Sequence, residues 1–355
     1  MYTARTPEFE IINAGNAQAR EEVARFLARN GLGIDDDISQ FIVALYQRQI
    51  IACTGIAGNT LKCIAVDSGW RGSSLILTLI HEAELLAAQN GEHQLFLFTC
   101  PDNVKSFRGC GFYPLVTVDN CAALMENTPV GIHRYCSQLR NHHFVQGKNI
   151  GAIVMNANPF TLGHQYLIEH AASQCDWLHV FVVQEDVSAF SFKERFAMVR
   201  DGSRHLKNVT VHPGSAYIIS RGTFPGYFLK DKQVIDKAYA AIDLMLFRNY
   251  IAPALNITHR FVGTEPFCQL TAKYNRAMHH WLENATSTAA CIHVHEIERR
   301  TDGNDVPVSA SAVRRLLKEN QIAAASRMVP ATTRAFLNNG GQHQPRLYES
   351  LSAAV

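Results

Sequence analysis

No apolar run in this chain approaches the roughly 18–20 residues needed to cross a bilayer, and Met1 to Glu10 contains no apolar signal-peptide core. A membrane partner and a secretory leader are therefore not expected, and the expected location is the cytoplasm. Cys-x-x-Cys pairs are missing: the nine cysteines are scattered at 53, 63, 100, 110, 121, 136, 175, 268 and 291. That spacing suits no structural zinc site, so no metal ligands are assigned; it reads as reduced, mostly buried thiols. There is no long Lys/Arg run, and the formal net charge is only +2, with basic and acidic residues interspersed. Nucleic acid is thus not an expected partner. No internal repeat or low-complexity tract stands out.

What is present is the composition of a globular α/β protein. A length of 355 residues exceeds one ordinary core, so two domains are expected. Residues 1–127 alternate strands and helices. The spacing predicts helices over Ala19–Asn30 and Ser73–Gln89, and strands over Phe41–Leu45, Ile50–Cys53, Leu61–Val66, Gln94–Thr99 and Phe112–Val118. Residues 128–149 are polar and read as a short helix followed by a linker. From 150 to 340 the pattern is a regular βαβ alternation. Strands are expected at Ile150–Met155, Leu178–Val183, Val209–His212, Arg260–Gly263 and Ile292–Ile297. Helices are expected at His164–Cys175, Lys193–Leu206, Val234–Asn249, Thr271–Glu283 and Ser311–Asn320. The first two strands are nearly continuous apolar runs, as in a parallel sheet covered on both faces. A doubly wound parallel sheet binds ligands beyond the carboxyl ends of its strands.

Asn158-Pro159-Phe160-Thr161-Leu162-Gly163-His164 lies at such an end. A strand, a tight turn and a helix start meet there, gathering backbone N–H groups and the positive end of a helix dipole where a phosphate would bind. Thr161 and His164, three apart on the first turn, face one side. Gly163 lets a phosphate approach the backbone, and an imidazole can donate to phosphate oxygens as charge builds. Ser309-Ala310-Ser311-Ala312-Val313-Arg314, about 145 residues later, has the same logic. Ser309 is a good N-cap, Pro307 stops the helix from starting earlier, and Arg314 one turn on can fork two hydrogen bonds to a phosphate. Gly263 and Glu265 follow another strand end and are candidates to line the same ligand site. Tyr217, Arg221 and Lys193 are polar groups in loop or helix-start positions of the same domain and are further substrate-site candidates.

The two segments resemble the T-x-G-H and I-S-x-T-x-x-R signatures of the nucleotidylyltransferase superfamily, with Ser311 where Thr is commoner. The resemblance is closer to one family, the citrate lyase ligases. It is carried by Gly55–Asn59, Val154–Thr161, Gln174–His179, Tyr217–Arg221, Phe261–Cys268 and Pro307–Ser311. It implies an acid–thiol ligase that uses ATP with Mg²⁺ to activate acetate as acetyl-AMP. The acetyl group would pass to the phosphoribosyl-dephospho-CoA thiol of the citrate lyase acyl carrier subunit. The same resemblance implies that Thr161 and His164 contact the triphosphate, while Ser309, Ser311 and Arg314 hold its β- and γ-phosphates. Residues 1–127 resemble the GNAT acetyltransferase fold through Val66–Gly72 and Phe107–Phe112. There Ser74 and Ile76 occupy positions that are small in that fold, and the bulky Ile76 suits a degenerate domain that docks the carrier or its CoA-like arm. Two other readings stay open. One is an adenylyltransferase acting on a phosphorylated small molecule; the other is a catalytically silent carrier-binding protein.

Overall fold

The computed structural model describes residues 6–184, 188–219, 224–229, 232–265, 269–284, 289–299 and 308–339. The chain divides into two compact units. One comprises Met1–Arg134 together with Thr223–Ile242, and the other Tyr135–Gly222 together with Asp243–Val355. The sequence pattern placed the division in residues 128–149 and did not anticipate that residues 223–242 rejoin the first unit.

In the first unit the elements are β1 (Glu8–Asn13), α1 (Ala17–Arg29), β2 (Gln40–Tyr46), β3 (Gln49–Ala57), β4 (Thr60–Val66), α2 (Leu75–Gln89), β5 (Phe96–Thr99), α3 (Val104–Gly109), β6 (Tyr113–Val118) and β7 (Ala122–Glu126). They build one seven-stranded sheet in the order β1-β2-β3-β4-β5-β7-β6. Every pairing is antiparallel except β4 with β5. This is the mixed α/β arrangement that the resemblance implied. β1 and β7 were not anticipated. Leu75, Leu79, Ile80, Ala83 and Leu86 of α2 are buried against one face of the sheet, and Val23, Phe26 and Leu27 of α1 lie in a second cluster.

The parallel pair touches at only two positions, Thr60 with Phe96 and Leu61 with Leu97. Beyond them the backbone carbonyl of Phe98 is taken by a side chain from the returning segment: the Tyr227 hydroxyl donates to it at 3.1 Å. Tyr227 packs in the α1 cluster beside Phe41, Cys53 and Cys63, and Phe224 meets the Phe98 ring edge-on at 4.9 Å. Gly33 donates its N–H to the Tyr227 carbonyl at 2.8 Å, and Gly226 donates to the Asp35 carboxylate at 3.3 Å. The buried Lys62 holds Asp35 at 3.1 Å and Asp37 at 2.7 Å. The returning segment therefore supplies core packing and a backbone partner that the sheet lacks.

α4 (Gly131–His143), in the segment expected to hold a short helix followed by a linker, contains the first crossing between units. The second unit continues with β8 (Ile150–Met155), α5 (Leu162–Gln174), β9 (Trp177–Val182), α6 (Phe192–Ser203) and β10 (Val209–Pro213). α7 (Lys232–Leu246) contains the last crossing and runs through a π-helical turn, Phe247–Ile251, into α8 (Ala252–Leu255). β11 (His259–Gly263), α9 (Gln269–Met278), β12 (His293–Ile297), α10 (Ala310–Lys318), α11 (Ile322–Arg327) and α12 (Ala331–Asn339) complete it. Neither α11 nor α12 was expected from the sequence. The five strands run parallel in the order β10-β9-β8-β11-β12. The winding reverses between β8 and β11, which pair only at Gly151–His259 and Ala152–Arg260. Their carboxyl ends separate there and open the crevice expected of such a sheet. Among the described residues no helix is long and apolar enough to cross a membrane.

His179 of β9 and His212 of β10 are buried side by side, with Nδ1 of the former 2.9 Å from Nε2 of the latter, and the His143 ring packs edge-on against His212. Burial holds His179 and His212 well below the ordinary imidazole value. A base whose folded pKa is depressed takes up its proton more readily unfolded, so stability falls as the pH drops below about 6.5. Urea unfolding between pH 7 and 5 is expected to show this loss. His212→Gln should reduce the slope by up to about 1.4 kcal/mol per pH unit; an unaltered slope would mean that His212 ionises equally in both states. For the returning segment, Tyr227→Phe is expected to cost about 1–1.5 kcal/mol and Tyr227→Ala about 3–5 kcal/mol, read by the same method at pH 7.

Candidate functional site

The site is built where β8 ends and α5 begins. Thr161 has extended backbone and caps α5. Its N–H donates to Nδ1 of His164 at 3.1 Å, and its hydroxyl oxygen accepts the His164 N–H at 3.3 Å. This reciprocal capping box closes two otherwise open donors of the first turn. It also fixes the imidazole: a ring nitrogen that accepts from a backbone N–H carries no proton, which assigns the hydrogen to Nε2. Burial, then the charges of Arg299 and Arg314, lower the His164 pKa to about 4. At neutral pH the side chain is therefore an uncharged donor.

α10 starts in the same way. Ser309 is its N-cap and accepts the Ala312 N–H at 3.1 Å. Two contacts join the helix starts. A Cβ at Gly163 would lie 3.0 Å from the Val308 carbonyl oxygen, so glycine here lets the two segments abut. Arg314 donates to the Asn158 carbonyl at 2.6 Å and to the Ser311 hydroxyl at 3.3 Å. A cavity of about 230 Å³ opens between them, walled by Asn156, Thr161, Gly163, His164, Gly263, Arg299 and Ser309 among others. The amino ends of two helices thus border one cavity at the switch point of the sheet, a setting that favours an anion.

The structure brings Thr161, Gly163, His164, Gly263 and Ser309 to this cavity; the other candidates among the described residues are not on its wall. The Asn158 side chain accepts the Phe190 N–H at 3.2 Å. The Asn158–Pro159 peptide is cis, and Pro159 is buried. Phe160 is fully buried and stacks on the His164 ring at 5.9 Å, supporting it from the core. Ser311 is exposed and Arg314 partly buried, with its guanidinium turned to the Asn158 loop. Glu265 pairs with Arg299 instead of facing the cavity. Tyr217 is buried and stacked on Tyr135 at 5.3 Å, and Lys193 is exposed on the first turn of α6. Arg221 and Pro307 lie outside the described residues.

Two arginines escaped the sequence reading. Arg195 is completely buried on the apolar face that Phe192, Phe196 and Val199 share with it. It donates to the Asn156 carbonyl at 2.8 Å, the Asn156 side-chain oxygen at 2.7 Å, the Val183 carbonyl at 2.8 Å and the Phe190 carbonyl at 3.1 Å. It thereby ties the ends of β8 and β9 to the loop that Asn158 also holds. A charge on an otherwise apolar helical face was the available signal. Arg299, just past β12, could have been found by applying the strand-end rule to the last strand.

The family model described as the citrate lyase ligase C-terminal domain matches residues 150–337. The citrate pro-3S-lyase ligase of Klebsiella pneumoniae is 50% identical over 318 residues, 90% of this chain and 92% of its own. This chain belongs to the citrate lyase ligase family. The Escherichia coli K12 member is 47% identical over 335 residues, covering 94% of this chain and 95% of its own. That of Haemophilus influenzae is 48% identical over 321 residues, covering 90% and 95%.

The support beneath His164 can be tested through Gly202 in α6. A Cβ there would lie 2.4 Å from Phe160 Cε1, inside contact distance, and Phe160 is fully buried. Gly202→Ala is expected to destabilise this citrate lyase ligase by about 1–3 kcal/mol through overpacking, measured by denaturant unfolding. A neutral or stabilising effect would show that Phe160 does not hold its position tightly.

Proposed function

We propose that this chain activates acetate with ATP and acetylates the prosthetic-group thiol of the citrate lyase acyl carrier subunit. The observation that carries the nucleotide part is the convergence of Thr161, His164 and Ser309 on one cavity bordered by two helix amino ends. The chain's similarity to citrate lyase ligases over nine-tenths of its length supports the choice of substrates.

The reaction has two steps. A carboxylate oxygen of acetate attacks the α-phosphorus of ATP, the bond to the bridging oxygen breaks, and pyrophosphate leaves. The carrier thiolate then attacks the acetyl carbonyl carbon, and AMP leaves. The residues present do little covalent work; they position the groups and stabilise charge. His164 donates its Nε2 hydrogen to a phosphate oxygen as negative charge builds. Because Nδ1 is held by Thr161, that hydrogen has a fixed direction. Its pKa of about 4 keeps it a donor without proton exchange at neutral pH. Ser309 contributes its hydroxyl hydrogen, and the amino ends of α5 and α10 contribute their dipoles. Arg314 acts through the Asn158 carbonyl, keeping both segments in register. Mg²⁺ would come to this site with the triphosphate; among the described residues no group of three or more His, Cys, Asp or Glu could hold a metal ion. Bound there, it would neutralise charge on the leaving pyrophosphate.

Labelled pyrophosphate exchange into ATP tests this reading. Exchange is expected to require acetate. Exchange that ignores acetate but responds to a phosphorylated acceptor would replace it with adenylyl transfer to a phosphate. No exchange with any substrate would leave a carrier-binding protein. His164→Ala is expected to lower the exchange rate by roughly 10²–10³, the usual loss for one transition-state donor. In kcat/KM, which reports the free enzyme, no limb from His164 should appear between pH 5.5 and 8, because the ring stays neutral above about 4.

A further inference from the structure

The cavity wall includes one cation that neither phosphate-binding segment accounts for. Arg299 lies two residues beyond β12, and about a quarter of its side chain is exposed (27%). Its Nε donates to the Thr264 carbonyl at 2.6 Å, and its terminal nitrogen pairs with the Glu265 carboxylate. The Thr264 N–H in turn donates to the Ile297 carbonyl at 2.9 Å, so this arm hangs from the last rung joining β11 to β12. The Glu265 side chain is almost buried (8%). Arg299 and His164 line the same cavity, whereas Arg314 lies off its wall with its guanidinium on the Asn158 carbonyl. Of the two arginine charges that depress the His164 pKa, that of Arg299 is the larger contributor.

We propose that Arg299 binds the phosphates of the nucleotide opposite His164, and that Glu265 is a positioning residue that holds the guanidinium at the cavity wall. Three features carry this. First, a guanidinium has five planar N–H donors; Thr264 and Glu265 engage Nε and one terminal nitrogen, and the other terminal nitrogen is the one offered to a phosphate. Second, two backbone-anchored strand ends hold the arm, so little side-chain entropy remains to be lost on binding. Third, two helix amino ends and a neutral donor attract a polyanion but carry no formal charge, whereas the guanidinium does, with Glu265 compensating it from one terminal nitrogen. The proposal rests on the reading that this cavity takes ATP, and it adds the residue that supplies the charge.

Calorimetric titration of the full chain with ATP and with adenosine tests it. Arg299→Gln is expected to weaken ATP binding by roughly 10–100-fold, the range for a charge-assisted contact, and to leave adenosine binding unchanged. Arg299→Lys should fall between the two and serves if the glutamine variant does not fold. In the exchange assay the KM for ATP should rise while that for acetate stays within about twofold. Equal losses for ATP and adenosine would reduce Arg299 to a structural tie and overturn the proposal. A raised KM for acetate with ATP binding intact would make it a carboxylate ligand instead, also overturning it. If wild-type exchange ignores acetate while Arg299→Gln still weakens ATP selectively, the proposal stands and the acyl-activation reading falls.

Discussion

The site depends on the contact between the start of α5 and the start of α10. These helix ends are separated by about 145 residues of chain, and two features hold them together: the Arg314 donation to the Asn158 carbonyl and the missing Cβ of Gly163 against Val308. Each helix end alone would offer a weak, screened partial charge. Placed on either side of one cavity, both act on the same bound group in a partly dehydrated space, where such charges count for more. Beside the roles expected from their signatures, Gly163 admits a neighbouring backbone and Arg314 grips a loop.

Around this contact the support is layered. The capping box of Thr161 sets which nitrogen of His164 bears hydrogen, and Phe160 holds the ring from below. Arg195 satisfies carbonyls just past the ends of β8 and β9. A buried guanidinium with so many carbonyl partners is a costly arrangement unless all are well placed. Its presence beneath the cavity is consistent with a wall that has to keep its shape.

Legibility in the sequence followed the range of the interactions. Near-continuous apolar runs marked β8 and β9, and the turn chemistry around Thr161 and Ser309 marked both helix starts, because capping is decided within three or four residues. Elements outside such patterns were missed. β1, with Glu8 and Glu10 on an edge strand, lacks a strong apolar signature, and α11 and α12 are short. Tyr217 and Lys193 are polar groups in loop and helix-start positions, yet one is buried against Tyr135 and the other is exposed. Arg299 and Arg195 went unnoticed because an arginine's role depends on what surrounds its far end, five bonds from the backbone.

By itself, the sequence determined the two-part α/β organisation, the parallel character of the second sheet, and the residues that cap the two helices, since these follow from local periodicity and backbone hydrogen bonding. Only the tertiary structure decided that residues 223–242 return to complete the first unit's core, with Tyr227 satisfying a carbonyl on β5. It also decided which expected residues reach the cavity and which stand behind it. The reason is the same in both cases: such partners are chosen by strand divergence and close approach between distant segments, and neither leaves a periodic trace along the chain.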